Sequence, residues 1–394
     1  MTTPPPYPTT LSGASHLVVP GTTGRRLVVF FAAKDLGEGR YNFLQLGREL
    51  PDTVIFVNNG ANDWYQWGIP GLGDSLEASL DSLRRWRDAV QATEICTIGT
   101  SMGAYAAIQY GAALGARVLA FSSDAQLGAP LSRSAAFFTG GTYAGARAPT
   151  CPDLRPLVGG ADVTLFVGER DAVDIHAAHL LQGAGLGRVV SLIGADHHVS
   201  SFLSRRSRLG PLLRRFVAGQ TLPMQPDTGA AVMQPGHAQA LYAAHLAAAA
   251  QDWGLTEASA RQALAAYPCG EAAEMILGWA LIQQDRPAEA ADVLARALAS
   301  QPDDSQTLLR LAAALRRSGG ALRAEQLYQS LLTREPGHHA ARYALGMVRM
   351  QRGDTAGARQ ALREALRILP GHAPYLARLK AIETKAIKTA GKQS

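Results

Sequence analysis

Over residues 1–220, short apolar runs alternate with longer stretches of helical period. Arg26-Leu27-Val28-Val29-Phe30-Phe31 is apolar almost throughout, the pattern of a strand buried on both faces of a parallel sheet. His16–Val19, Val54–Val57, Ile95–Ile98, Val118–Phe121, Val163–Val167 and Val189–Ile193 repeat it. Between them, helices are predicted over 73–91, 102–114, 175–182 and 200–217. Such alternation implies βαβ units with right-handed crossovers, hence an α/β domain over 14–218 built on a doubly wound, mainly parallel sheet. In that architecture chemistry sits beyond the carboxyl ends of the strands. The opening dozen residues, rich in Pro and Thr, are expected to be poorly ordered.

Beyond residue 218 the pattern changes. Residues 219–236 are rich in Pro, Gly and Gln without periodicity and read as a linker. Residues 237–390 are Ala-, Leu-, Arg- and Gln-rich and carry no strand signal, which predicts an all-α domain. Prolines stand at 268, 302, 336 and 370, a spacing of 34. Small residues recur in step with them, as Gly278, Ala312 and Gly346 and again as Ala290, Ala324 and Ala358. Three units are clear at 271–304, 305–338 and 339–370, with a degenerate one before them and a closing helix over 374–390. In period and small-residue positions this half resembles tetratricopeptide repeats. The resemblance implies a solenoid of helix pairs that offers a concave groove to a protein or peptide partner.

Candidate chemistry centres on Gly99-Thr100-Ser101-Met102-Gly103, which joins a predicted strand to a predicted helix. In a G-x-S-x-G turn the serine is forced into a tight bend, and side chains at the flanking positions would strike neighbouring backbone. The helix behind it directs its amides at the serine, so the Met102 N–H is a candidate oxyanion donor. Two further loops leave strand ends: Gly168-Glu169-Arg170-Asp171-Ala172-Val173-Asp174 and Gly194-Ala195-Asp196-His197-His198. Serine, acid and histidine in this chain order resemble the α/β-hydrolase superfamily, and more finely the small bacterial hydrolases found among cell-surface polysaccharide genes. The resemblance implies Ser101 as nucleophile, His197 as base and Asp171 as its orienting acid. His198 and Asp174 are the rivals, the competing reading of Asp174 being a cap of the helix that starts near Ile175. A second oxyanion amide is implied at Ala33 or Lys34, where this chain has Ala32-Ala33 in place of the His-Gly of many members.

The loop Asn58 to Gly68 interleaves amides and carboxylates with aromatics, which suits sugar rings, so Asn59, Trp64, Tyr65 and Trp67 are candidate substrate contacts. The competing reading is a loop that buries its own aromatics. Residues 122–158 are long for a connection and are expected to form a lid. His176 and His179 resemble half of a metal site but lack a third ligand, so a solvated helix face is expected and no metal. The three cysteines, Cys96, Cys151 and Cys269, suit neither a disulfide framework nor a metal cluster and are expected to be buried spectators. The net charge of +6 is scattered, with no basic–aromatic stripe for nucleic acid. No leader or membrane-spanning run is apparent, which suggests a cytoplasmic protein. The expected activity is cofactor-free hydrolysis of a small polar carboxylic ester, possibly of a saccharide, through an acyl-enzyme. The alternatives are acyl transfer and a catalytically silent binding or scaffold protein.

Overall fold

The computed structural model describes residues 12–22, 25–139, 142–143 and 145–390. Residues 1–11, the bulk of the Pro- and Thr-rich start, lie outside these, as does the end of the Lys-dotted tail. Two compact units are present. One runs to Tyr242 and takes in Ala265–Gly270; the other comprises Ala243–Leu264 and the chain from Glu271 onward.

The first unit is an α/β layer structure. Its elements are β1 (His16–Val19), β2 (Arg26–Phe31), α1 (Leu44–Arg48), β3 (Thr53–Val57), α2 (Leu76–Ala89), β4 (Glu94–Thr100), α3 (Met102–Leu114) and β5 (Arg117–Phe121). After them come a hairpin of β6 (Phe138–Thr139) and β7 (Thr142–Tyr143), then α4 (Arg155–Val158), β8 (Val163–Gly168), α5 (Ala172–Gly183), β9 (Arg188–Leu192), α6 (Val199–Arg205) and α7 (Leu209–Val217). Seven strands pair in the order β1-β3-β2-β4-β5-β8-β9. Only β1 runs antiparallel to its neighbour in that sheet. The apolar runs are apolar because both faces of the sheet are covered: every residue of β3 and β8 is buried. On one face Phe30 stacks on Phe56 with ring centroids 5.2 Å apart, and Leu209, Leu212, Leu213 and Phe216 of α7 join the same core. β4 lies in the middle of the sheet, so its carboxyl end, where Ser101 stands, is flanked by the ends of β2 and β5.

The stretch 219–236, expected as a linker, is instead part of this unit. Leu222, Ala231 and Val232 are buried. The chain pairs with the end of β9: Ile193 N donates to Asp227 O at 2.8 Å and Gly229 N to Ser191 O at 2.9 Å. The anchor is Glu169, 4% exposed. Its Oε1 accepts from Ser191 Oγ at 2.7 Å and Ala231 N at 2.9 Å, and its Oε2 from Tyr267 OH at 3.3 Å. A buried carboxylate is tolerated only when so bonded, and these donors come from three separate parts of the chain. The Pro and Gly content of the segment carries no sign of this carboxylate, which lies on another loop.

The second unit is all helical. Helix pairs follow the predicted repeats: α8 (His237–Ala249, whose first residues belong to the first unit) with α9 (Trp253–Ala266), α10 (Glu271–Gln283) with α11 (Pro287–Ser300), α12 (Ser305–Arg317) with α13 (Ala321–Arg334), and α14 (His339–Gln351) with α15 (Thr355–Ile368), closed by α16 (Ala373–Ala390). Each recurrent proline stands two residues past a second helix, where it stops the helix without costing it a bond. The small residues sit where helices touch. Ala290, Ala312, Ala324 and Ala358 are fully buried, and a side chain at Gly278 would run into Leu294. No described helix is long and apolar enough to cross a membrane.

Glu169→Ala leaves Ser191, Ala231 and Tyr267 without their acceptor, at about 1–3 kcal/mol for each buried donor left unpaired. A chain ending at residue 220 loses the same contacts and should be insoluble or melt lower, whereas one ending at 270 keeps them. Circular dichroism melts of the three proteins check this; a 1–220 fragment as stable as the 1–270 fragment contradicts it.

Candidate active site

Ser101 follows β4 and precedes α3 with φ 56° and ψ −122°, a conformation that side-chain-bearing residues rarely adopt. The two glycines make it possible. A Cβ on Gly99 would collide with the carbonyl oxygen of Gly103, and one on Gly103 with the carbonyl oxygen of Phe31. Ser101 N donates to Phe121 O at 2.9 Å, and Ser101 O accepts from Ala104 N at 2.9 Å, so the bend is fixed on both sides. Its side chain is thereby lifted to the mouth of the sheet.

His197 approaches from the loop after β9. Its Nε2 lies 2.9 Å from Ser101 Oγ. Its Nδ1 lies 3.0 Å from both carboxylate oxygens of Asp174. A hydroxyl bonded to an imidazole whose far nitrogen is held by a buried carboxylate is the arrangement that activates an oxygen nucleophile. The nearby His198 does not take part; its backbone N–H bonds Asp196 Oδ1 and it stands at the N-terminus of α6.

The acid assignment is corrected. Asp171, expected on the histidine, is the N-cap of α5: its Oδ1 accepts from Val173 N and Asp174 N at 3.0 Å each, and its Oδ2 pairs with Arg133 at 2.5 Å. Asp174, expected as the cap, faces His197 instead. The reason is positional. Only the residue just before the first turn reaches its free amides, whereas a side chain three places on leans back over the helix start, toward the loop that carries the histidine.

The electrostatics follow from burial. Desolvation pulls the His197 imidazolium down, but the Asp174 carboxylate on Nδ1 outweighs it, so the ring titrates above its ordinary 6.5. Asp174 is itself pushed up, first by burial and then by Asp171. Asp124, buried in the loop after β5, is pushed by burial to about 6 and feels both Asp174 and His197. Ligand atoms of Asp171, Asp174 and His197 lie within 4.8 Å of one another, a spacing a metal could use. Those atoms are already engaged with each other, with helix amides and with the Arg133 guanidinium, itself a cation.

The other expectations divide. The Met102 N–H opens α3, where first-turn amides lack intrahelical acceptors. Ala33 N donates to Asn42 Oδ1 at 2.6 Å, which leaves the Lys34 amide as the candidate second donor. Trp64 and Tyr65 are not surface contacts: Trp64 is 1% exposed against Phe137 and Phe138, and Tyr65 is fully buried with its hydroxyl on Ala32 O and Val57 O. Trp67 is half-buried beside Tyr143, and Asn59 is buried; both line a surface cavity that includes neither Ser101 nor His197. Within the stretch 122–158, expected as a lid, Phe137, Phe138 and Tyr143 pack onto Trp64 and Trp67. His176 stacks on Tyr242 with ring centroids 4.1 Å apart, and His179 Nδ1 lies 3.3 Å from Val232 O, so neither belongs to a solvated face. Of the cysteines Cys96 is buried, whereas Cys151 is half-buried and Cys269 exposed. Asn42, Asp124 and Arg133 were missed; each lies in a loop with no spacing or motif to mark it.

Comparison with known proteins bears on the second unit. Residues 230–305 and 315–382 match family models described as tetratricopeptide repeat, so the C-terminal part of the chain carries such repeats. Among solved structures the chain is similar to YrrB, a TPR protein with an unusual peptide-binding site, at 19% identity and TM-score 0.36, over 46% of this chain and 89% of that one. It is similar to MamA of Desulfovibrio magneticus RS-1 at 15% identity and TM-score 0.37, over 41% and 92%. A third is the first TPR of Spaghetti (RPAP3) bound to an HSP90 peptide, at 16% identity and TM-score 0.28, over 30% and 93%. No curated protein matches the chain.

NMR of His197 should show its midpoint above 6.5. Asp174→Asn removes the carboxylate but leaves the burial, so it should drop the midpoint below 6.5, while Asp171→Asn should shift it less. A larger shift from Asp171→Asn would return the acid role to that residue.

Proposed function

We propose that the first unit is a serine hydrolase acting on a carboxylic ester, and that the repeats hold a protein or peptide partner. The observation that carries the enzymatic reading is the continuous chain of bonds Ser101 Oγ, His197, Asp174, with the serine on a strained strand-to-helix bend. The sheet order, with its single antiparallel edge strand, supports the resemblance to α/β-hydrolases. Ser101 Oγ attacks the acyl carbon as His197 Nε2 takes its proton, and the imidazolium then protonates the departing alcohol. The acyl group stays on Ser101 until water, deprotonated by the same nitrogen, releases it. Asp174 holds the ring with Nε2 toward the serine. Met102 N–H, with Lys34 N–H, would receive the oxyanion.

A second reading has its own support. The family matches fall on the repeats alone, so they speak for protein interaction and fit a catalytically silent first unit at least as well. Turnover of p-nitrophenyl acetate separates the two. Under the hydrolase reading Ser101→Ala abolishes it, His197→Ala lowers it by about 10²–10⁴, and Asp174→Asn costs far more than Asp171→Asn. Because neutral His197 is the base, kcat/KM should rise with pH through a midpoint above 6.5, in line with the Asp174 carboxylate beside it. Wild-type turnover no greater than that of Ser101→Ala would favour the scaffold.

A further inference from the structure

The loop between β3 and α2 encloses an open cavity of about 430 Å³ lined by Asn59, Asp63, Trp67, Gly71 and Asp74 among others. We propose that it is a saccharide-binding site, separate from Ser101. Asn59 is 8% exposed, and its Oδ1 is buried with no hydrogen-bond partner among the described residues. Its Nδ2 is held by Asp63 Oδ1, which also accepts from Tyr65 N at 2.8 Å, so the amide cannot turn to relieve the unpaired oxygen. An orphaned buried acceptor is costly, and a ligand that donates a proton to it removes the cost. The neighbouring side-chain groups, Asp63 and Asp74, are likewise acceptors. The complementary ligand therefore carries several donors.

Two classes offer that, polyhydroxyl compounds and cations. The Arg147 guanidinium lies 5.2 Å from the Trp67 ring centroid and acts electrostatically on Asp63, so the site already has its positive charge. Burial also pushes the Asp63 carboxyl upward, which weakens its hold on a cation. Trp67 is fixed by its Nε1–H bond to Ala148 O at 3.1 Å and by Tyr143 at 4.7 Å, giving a rigid apolar flank beside the acceptors. An apolar flank next to fixed acceptors matches a sugar ring, whose C–H face is apolar and whose edge is hydroxyls.

Isothermal titration of the full chain with glucose, galactose, N-acetylglucosamine and cellobiose, and with spermidine as cationic control, tests this. At least one neutral sugar should bind saturably. Trp67→Ala and Ala61→Phe, the latter filling the cavity from an exposed position, should each weaken it tenfold or more, as should Asp74→Asn to a smaller degree. Melting curves establish that each variant is folded. Ser101→Ala should bind the sugar as wild type does, so failure of the hydrolase reading leaves this site standing, and the reverse. Silence toward all four sugars overturns the proposal, as does binding of spermidine alone. Sugar binding lost in Ser101→Ala but kept in folded Ala61→Phe also overturns it.

Discussion

The positive φ at Ser101 is the constraint on which the first unit turns. A non-glycine residue in so sparsely populated a conformation costs about 1–3 kcal/mol and persists only where its surroundings leave no alternative. Here the surroundings are the centre of the sheet. β4 is paired on both sides, α3 is buried along nearly its whole length, and Gly99 and Gly103 let strand and helix backbones approach as no other residue would. That close approach aims the serine hydroxyl outward and brings the helix start beneath it. The strain and the site are one feature.

The acid side of the site shows how two similar residues are given different work by three positions on one helix. Asp171 lies just outside the first turn, where its oxygens meet free amides and Arg133. Asp174 lies within it, buried, with the imidazole as its hydrogen-bond partner. Burial alone would favour a neutral carboxyl there; the facing imidazole counteracts that and is in turn made a stronger base. Glu169, two residues before the cap, uses the same logic for a structural end, tying three distant segments to one buried carboxylate.

Local patterns carried most of the fold. The apolar runs marked all seven sheet strands; in the five that lie between the edges, β2, β3, β4, β5 and β8, burial on both faces leaves no polar alternation. The 34-residue proline spacing marked the helix pairs, because each unit repeats the same contact. The pairing of Ser101 with His197 was legible because each follows a strand end on the same edge of the sheet, and the structure puts the two side chains 2.9 Å apart. What escaped depends on long-range partners. The choice between Asp171 and Asp174 turns on which side chain meets a histidine 23 or more residues away. The segment 219–236 is held by a carboxylate on another loop, which its own composition does not announce. Trp64 and Tyr65 look like Trp67 in sequence; tertiary packing separates them, Trp64 lying under Phe137 and Phe138 and Tyr65 against Phe31, while Trp67 reaches the cavity wall.

An activated nucleophile at Ser101 would react with a fluorophosphonate probe, and peptide mass mapping would locate the adduct. One stoichiometric adduct is expected, on Ser101, absent in His197→Ala although that variant remains folded. No adduct on the wild-type chain, or one on another serine with Ser101 untouched, would contradict it.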